Sequence, residues 1–154
     1  MKKITEFNSL VGDELAVNMD HVKLLLDKIK KTEFYHSSTF TENEISVMIK
    51  MFKWQTEYLI PIVDTFRMAL IHPASNAFLY KHSNTILSKL LEVLKNGSDT
   101  HKILVLRVFN NMFISHNNRQ IMLKNRSDIL DSASVYLDSE NANLRSAIVS
   151  LLFK

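Results

Sequence analysis

Ile60-Pro61-Ile62-Val63-Asp64-Thr65-Phe66-Arg67-Met68-Ala69-Leu70-Ile71-His72-Pro73 reads as one buried helix with a proline at each end. Ile62, Val63, Phe66, Ala69 and Leu70 recur at helical spacing and make one wide apolar face. Asp64, Arg67 and Ile71 share another direction, because residues three and four apart are neighbours on a helix. Pro61 suits a first turn, where its missing N–H would have no partner. Pro73 restricts His72 and ends the helix.

The flanking sequence repeats this style. Asn18 is a candidate N-cap for a helix over about 19–31, with Val22, Leu25, Leu26 and Ile29 inward. Thr41-Glu42-Asn43-Glu44 is a capping box that starts a helix carrying Ile45, Met48, Ile49 and Phe52. Trp54 is placed at a corner. Pro73 can open a short helix to about Tyr80, and Ser83-Asn84 precedes one with Ile86, Leu87, Leu90, Leu91 and Leu94. Gly97 is expected as a left-handed residue ending that helix. The next, roughly 99–114, is apolar nearly all round and is expected at the centre. A short piece near 118–124 follows, then a helix capped by Ser127-Asp128, then a last one capped by Ser139.

The chain of 154 residues contains two glycines and two prolines, which favours helices joined by short polar loops over an all-β fold. From Ser83 onward, two helices and a short third piece take about forty residues before the pattern restarts, as in HEAT and armadillo arrays. The expected fold is therefore all-α: an armadillo/HEAT-like right-handed α-solenoid of about three to four repeats, forming a single domain over residues 1–154. An irregular helical bundle is the alternative.

Composition narrows function mainly by exclusion. A net charge of +3 without a basic run gives no signal for nucleic acid. No apolar run is long enough to span a bilayer, and no leader pattern opens the chain. Cysteine is absent, so disulfides and cysteine-ligated zinc are excluded. No phosphate loop, nucleophile elbow or HExxH sequence occurs, and the six histidines form no metal-ligand pattern. The expectation is a soluble, intracellular, monomeric protein that is not an enzyme and needs no cofactor.

The polar exceptions on the apolar helices are Arg67 and the group Arg107, Asn110 and Asn111, which lie together at spacings of three and four. One reading is structural: Arg67 pairs with Asp64, and the asparagines cap or make loop contacts. The other is a peptide groove, in which arginine forks bind carboxylates and asparagine amides hold an extended backbone. The residues by themselves leave both open.

Phe52-Lys53-Trp54, Leu59 to Arg67 and His72-Pro73-Ala74-Ser75-Asn76, followed by Leu104-Val105-Leu106-Arg107-Val108-Phe109-Asn110-Asn111-Met112-Phe113, occur in an order and spacing that resemble the PUL domain of phospholipase A-2-activating protein and its fungal relatives. Gln55 and Ile60 depart from the family pattern, which has proline and phenylalanine there. The resemblance implies an armadillo-like adaptor that binds the acidic C-terminal tail of the hexameric AAA ATPase valosin-containing protein in a cationic groove. The resemblance further implies that this adaptor serves ubiquitin-dependent turnover in the cytoplasm and also in the nucleus. Arg67 matches the arginine of the first signature, and Arg107 and Asn111 match the second; Asn110 joins them from helical geometry. Family domains run to about six repeats, so the resemblance also implies that this chain lacks the last ones. A generic HEAT or armadillo scaffold with another partner is the alternative function.

Overall fold

Most of the apolar stripes read from the sequence become buried helix faces. In the computed structural model, which describes residues 1–154, the chain forms ten α-helices and three 3₁₀ turns without a strand. They are α1 (Lys2–Asn8), α2 (Met19–Lys30), α3 (Glu42–Met51), α4 (Ile60–Ala69), α5 (Asn76–Leu79), α6 (Ser83–Asn96), α7 (Asp99–Met112), α8 (His116–Lys124), α9 (Arg126–Ser134) and α10 (Ala142–Leu152). The 3₁₀ turns are Thr32–Ser37, Thr56–Tyr58 and Pro73–Ser75.

All five residues of the expected α4 face are buried. The helix ends earlier than Pro73 alone requires. Ile71 and His72 turn their N–H groups to the Met68 and Ala69 carbonyls, three residues back, and His72 is already extended at φ −68° and ψ 136°. The nearly all-apolar α7 is central as expected. It packs on α4 along one side, on α10 along another, and on α6. The pairs α5·α8 and α6·α9 also pack on each other, so the order α5-α6-α7 is stacked on α8-α9-α10. Like helices stacked in like order make an α-solenoid.

Polar side chains fasten the first part of the chain. Asn18 caps α2 through Asp20 N–H, and Thr41 with Glu44 forms the expected capping box. Glu44 does more than the sequence suggested: its buried carboxylate also accepts from Lys28 Nζ at 2.8 Å, tying α2 to α3. Trp54, fully buried, donates Nε1–H to the Leu15 carbonyl at 2.9 Å. Lys50 Nζ donates to the Ala16 carbonyl at 2.7 Å, and the Asn8 carboxamide bonds both the N–H and the carbonyl of Val17. These contacts pin the loop between α1 and α2. Its tight turn uses Gly12 at φ +76°.

Three local expectations change. Gly97 is extended, at φ −76° and ψ 168°. Glycine is needed there for space: a Cβ would stand 2.6 Å from both His101 Cβ and the Val93 carbonyl oxygen. α9 starts at Arg126 after Asn125, so Ser127-Asp128 lies inside its first turn. α10 is capped by Asn141, whose Oδ1 accepts from the N–H groups of Asn143 and Leu144; Ser139 accepts from Asn141 N–H instead. Ser, Asn and Asp are near-equal caps, so the choice falls to whichever one the tertiary turn presents.

An aromatic chain runs through the first half of the core. Phe52 meets Phe66 edge-on at 5.1 Å, Phe66 meets Phe78 at 6.1 Å, and Phe40 stands 4.6 Å from Phe78. His72 closes the series at 4.5 Å from Phe40 and 4.6 Å from Tyr35. Its Nδ1 accepts Ala74 N–H at 3.0 Å, so Nε2 carries the ring proton and donates to Ser38 Oγ at 2.9 Å. Burial lowers the His72 pKa below its ordinary 6.5, and Lys28 and His36 add to the shift. The unfolded chain therefore binds this proton more readily than the folded one. The stability is fully present above pH 6.5 and is lost as pH falls through the lower folded-state value. Urea midpoints measured downward from neutral pH should fall more steeply for the native chain than for His72→Asn, which keeps an acceptor for Ala74 but cannot titrate. Parallel curves would remove His72 from the account.

Candidate peptide-binding face

The row α4, α7 and α10 carries all the polar residues singled out in the sequence, on α4 and α7. Arg67 lies in the last turn of α4. Its Nε donates to Asp64 Oδ1 at 2.9 Å, and Nη2 stands 2.8 Å from the same oxygen as an ion pair. The pair is half open to solvent, with Arg67 at 25 % and Asp64 at 50 % side-chain exposure. The structural reading of Arg67 is thus realised, yet it uses only part of the guanidinium. One Nη2 hydrogen and both Nη1 hydrogens have no part in it. An exposed i,i+3 pair is worth only roughly 0.2–0.5 kcal/mol, so a ligand carboxylate can share or displace it.

Arg107 is exposed in the middle of α7 and joins none of the ion pairs. One turn later, Asn111 Nδ2 donates to the Arg67 carbonyl at 2.8 Å. This bond has a local cause. Because Ile71 N–H turns to Met68, the Arg67 carbonyl is left without its usual partner at the helix end. Asn110 faces the other way: its Nδ2 donates to the Leu106 carbonyl at 3.0 Å and to Ala147 of α10 at 3.4 Å. Its Oδ1 is buried without a partner. Adjacent asparagines therefore bind α7 to both neighbours. Arg107, three and four residues before them, stands over the central helix between the two seams.

The structure joins Asn111 to the Arg67 backbone, leaves Arg107 exposed one turn earlier on α7, and turns Asn110 toward α10. Sequence spacing put Asn110 and Asn111 on a common side of α7, but it carried no signal that their amide donors fasten opposite helices. Other polar anchors were also missed. His101 donates Nε2–H to the Thr56 carbonyl at 2.8 Å and accepts from Ser98 Oγ at 2.8 Å, fixing the start of α7. Tyr136 donates to the Leu94 carbonyl at 3.0 Å beneath Lys102 Nζ, which lies 4.6 Å from its ring centre. A lone His in a first helical turn or a lone Tyr in a loop offers no periodicity from which such bonds could be read.

No group of three or more His, Cys, Asp or Glu side chains is placed to hold a metal ion, and no helix is long and apolar enough to cross a membrane. What the face offers is two guanidinium groups on adjacent helices, joined by the part-buried amide bond from Asn111. The family model of the PUL domain matches residues 1–154. The chain belongs to the PUL domain family. PUL domains are helical protein-interaction modules of the valosin-containing-protein pathway and not a known enzyme family.

This PUL domain depends on Asn111 for the joint between α4 and α7. Asn111→Ala leaves the Arg67 carbonyl unpaired and should lower unfolding free energy by about 1–3 kcal/mol in urea titration. An unchanged midpoint would mean that water replaces the amide and that the bond is dispensable.

Proposed function

We propose that this PUL domain is an adaptor that binds the acidic C-terminal tail of the hexameric AAA ATPase valosin-containing protein across α4 and α7, in ubiquitin-dependent protein turnover. The observation that carries the reading is that α4 and α7, which carry Arg67 and Arg107, pack on each other and are joined through Asn111. In this reading the exposed Arg107 fork takes a tail carboxylate with two parallel hydrogen bonds, and the free N–H groups of Arg67 take a second. Asp64 holds the Arg67 fork toward the face and limits its rotamers. The Asn111 carboxamide oxygen makes no hydrogen bond in the structure and is available to a peptide N–H. Asn110 supports the face by holding α10 against α7. The setting proposed is the cytoplasm, with the nucleus as a second location, and the adaptor acts as a monomer.

Isothermal titration with a synthetic tail peptide tests this. Binding should weaken with added salt, because the contacts are between charges near the surface. Arg107→Glu should reduce affinity at least about tenfold, or roughly 1.4 kcal/mol, since it replaces an attraction by a repulsion. Stability should stay within about 0.5 kcal/mol, because Arg107 is exposed and unpaired. Salt-independent binding, or affinity unchanged by Arg107→Glu, would remove the tail from this face and favour an armadillo scaffold with another partner.

A further inference from the structure

Asn96-Gly97 is the one asparagine–glycine pair in the chain, whose other glycine follows Val11. In such a pair the glycine amide nitrogen can attack the asparagine side-chain carbon, because the second residue has no side chain to hinder the approach. The pair sits at the corner between α6 and α7, away from Arg67 and Arg107.

The fold requires glycine at this corner. A Cβ at Gly97 would stand 2.6 Å from both His101 Cβ and the Val93 carbonyl oxygen, so a larger residue must displace the start of α7. Nothing makes the same demand for asparagine at 96. Asn96 is the last residue of α6 and is exposed. The carboxamides of Asn18, Asn111 and Asn141, by contrast, all bond to backbone groups, and none of these residues precedes a glycine. What opposes the attack is the last turn of α6. Gly97 N–H donates to the Val93 carbonyl at 2.8 Å, which holds that proton along the helix. The nitrogen can lose the proton and turn toward the Asn96 side chain only when this bond is broken. Helix ends open locally at far lower cost than the core does.

The product is unfavourable where it forms. α6 packs on α9, and Asn96 shares a groove of about 520 Å³ between them with Glu92, Lys95, Asp128 and Asp131. A carboxylate at position 96 joins three others facing one lysine in that groove. It also stands at the C-terminal end of α6, where the helix dipole disfavours negative charge. The isoaspartyl product adds a main-chain carbon one residue before the point where a Cβ has no room, beside the His101 that ties α7 to the Thr56 carbonyl.

We propose that Asn96 is a deamidation site gated by the last turn of α6, and that its conversion weakens the α6–α9 seam. The Gly97 nitrogen gives its proton to water and bonds to Asn96 Cγ. The bond from Cγ to the carboxamide nitrogen breaks, ammonia leaves, and a cyclic imide remains. Water then adds to one of the two imide carbonyls and opens the ring to aspartate or isoaspartate. Water is the only co-reactant, and nothing is oxidised or reduced. The result is a lasting chemical record that this corner has opened.

The test is peptide mapping by mass spectrometry after incubation of the full chain at mildly alkaline pH, folded in buffer and unfolded in urea. Asn96 should be the first asparagine converted in urea, and its conversion should be about tenfold or more slower in the folded chain. Asn96→Gln should stay intact at that position, because its imide ring closes far more slowly, and should keep the native urea midpoint. Asn96→Asp, the exposed mimic of the product, should have a lower midpoint than the native chain, and added salt should narrow the difference. Three results would each overturn the proposal: Asn96 intact in urea while other asparagines convert, equal rates in the folded and unfolded chains, or a native midpoint in Asn96→Asp.

Discussion

The fold rests on the contact of two helices whose apolar faces are wide and deeply buried. α4 and α7 bury their apolar faces against each other, and the other elements arrange around that seam. Burying a large apolar side chain contributes roughly 1.5–3 kcal/mol, and Phe66 and Phe109 are both fully enclosed. Hydrophobic burial is non-directional, however, and does not fix the sliding position of one helix on another. The Asn111 amide does so by meeting the one carbonyl that the tightened end of α4 leaves open. Packing and register are thus set by different forces at the same seam.

The same division of labour recurs outward. The aromatic chain from Phe52 to Tyr35 fills the space under α3, α4 and the 3₁₀ turn after α2, while His72 and Ser38 fix how the loop lies over it. Glu44 with Lys28 joins α2 to α3, His101 ties α7 to the turn before α4, and Tyr136 ties the α9–α10 turn back to α6. Each anchor is a directional bond between elements far apart in sequence. Buried polar groups need such partners because an unmade hydrogen bond in the interior costs more than a made one returns.

This economy explains why the proposed binding face is small in residues. Arg67 and Arg107 sit on helices whose backs are in the core while their side chains reach solvent. A cavity beside α3 is the reverse case. It exists because four-residue α5 leaves apolar surface uncovered. One face is made by close stacking of helices and the other by a gap in it.

The helical periodicity of Ile62, Val63, Phe66, Ala69 and Leu70, the capping box at Thr41, the near-absence of glycine, and the Arg67 and Arg107 signatures were all legible in the sequence, together with the PUL family. Those are local properties: burial pattern, cap chemistry and composition act within a turn or two of the chain. Tertiary structure alone decided that Gly97 yields space to His101 and that Asn141 rather than Ser139 caps α10. It also decided that Asn110 and Asn111 fasten opposite neighbours and that Ile45 faces a cavity. Each of these depends on which distant backbone group arrives beside the residue. Hydrogen-bond direction and steric clearance are properties of that meeting, and no spacing along one strand of sequence encodes them.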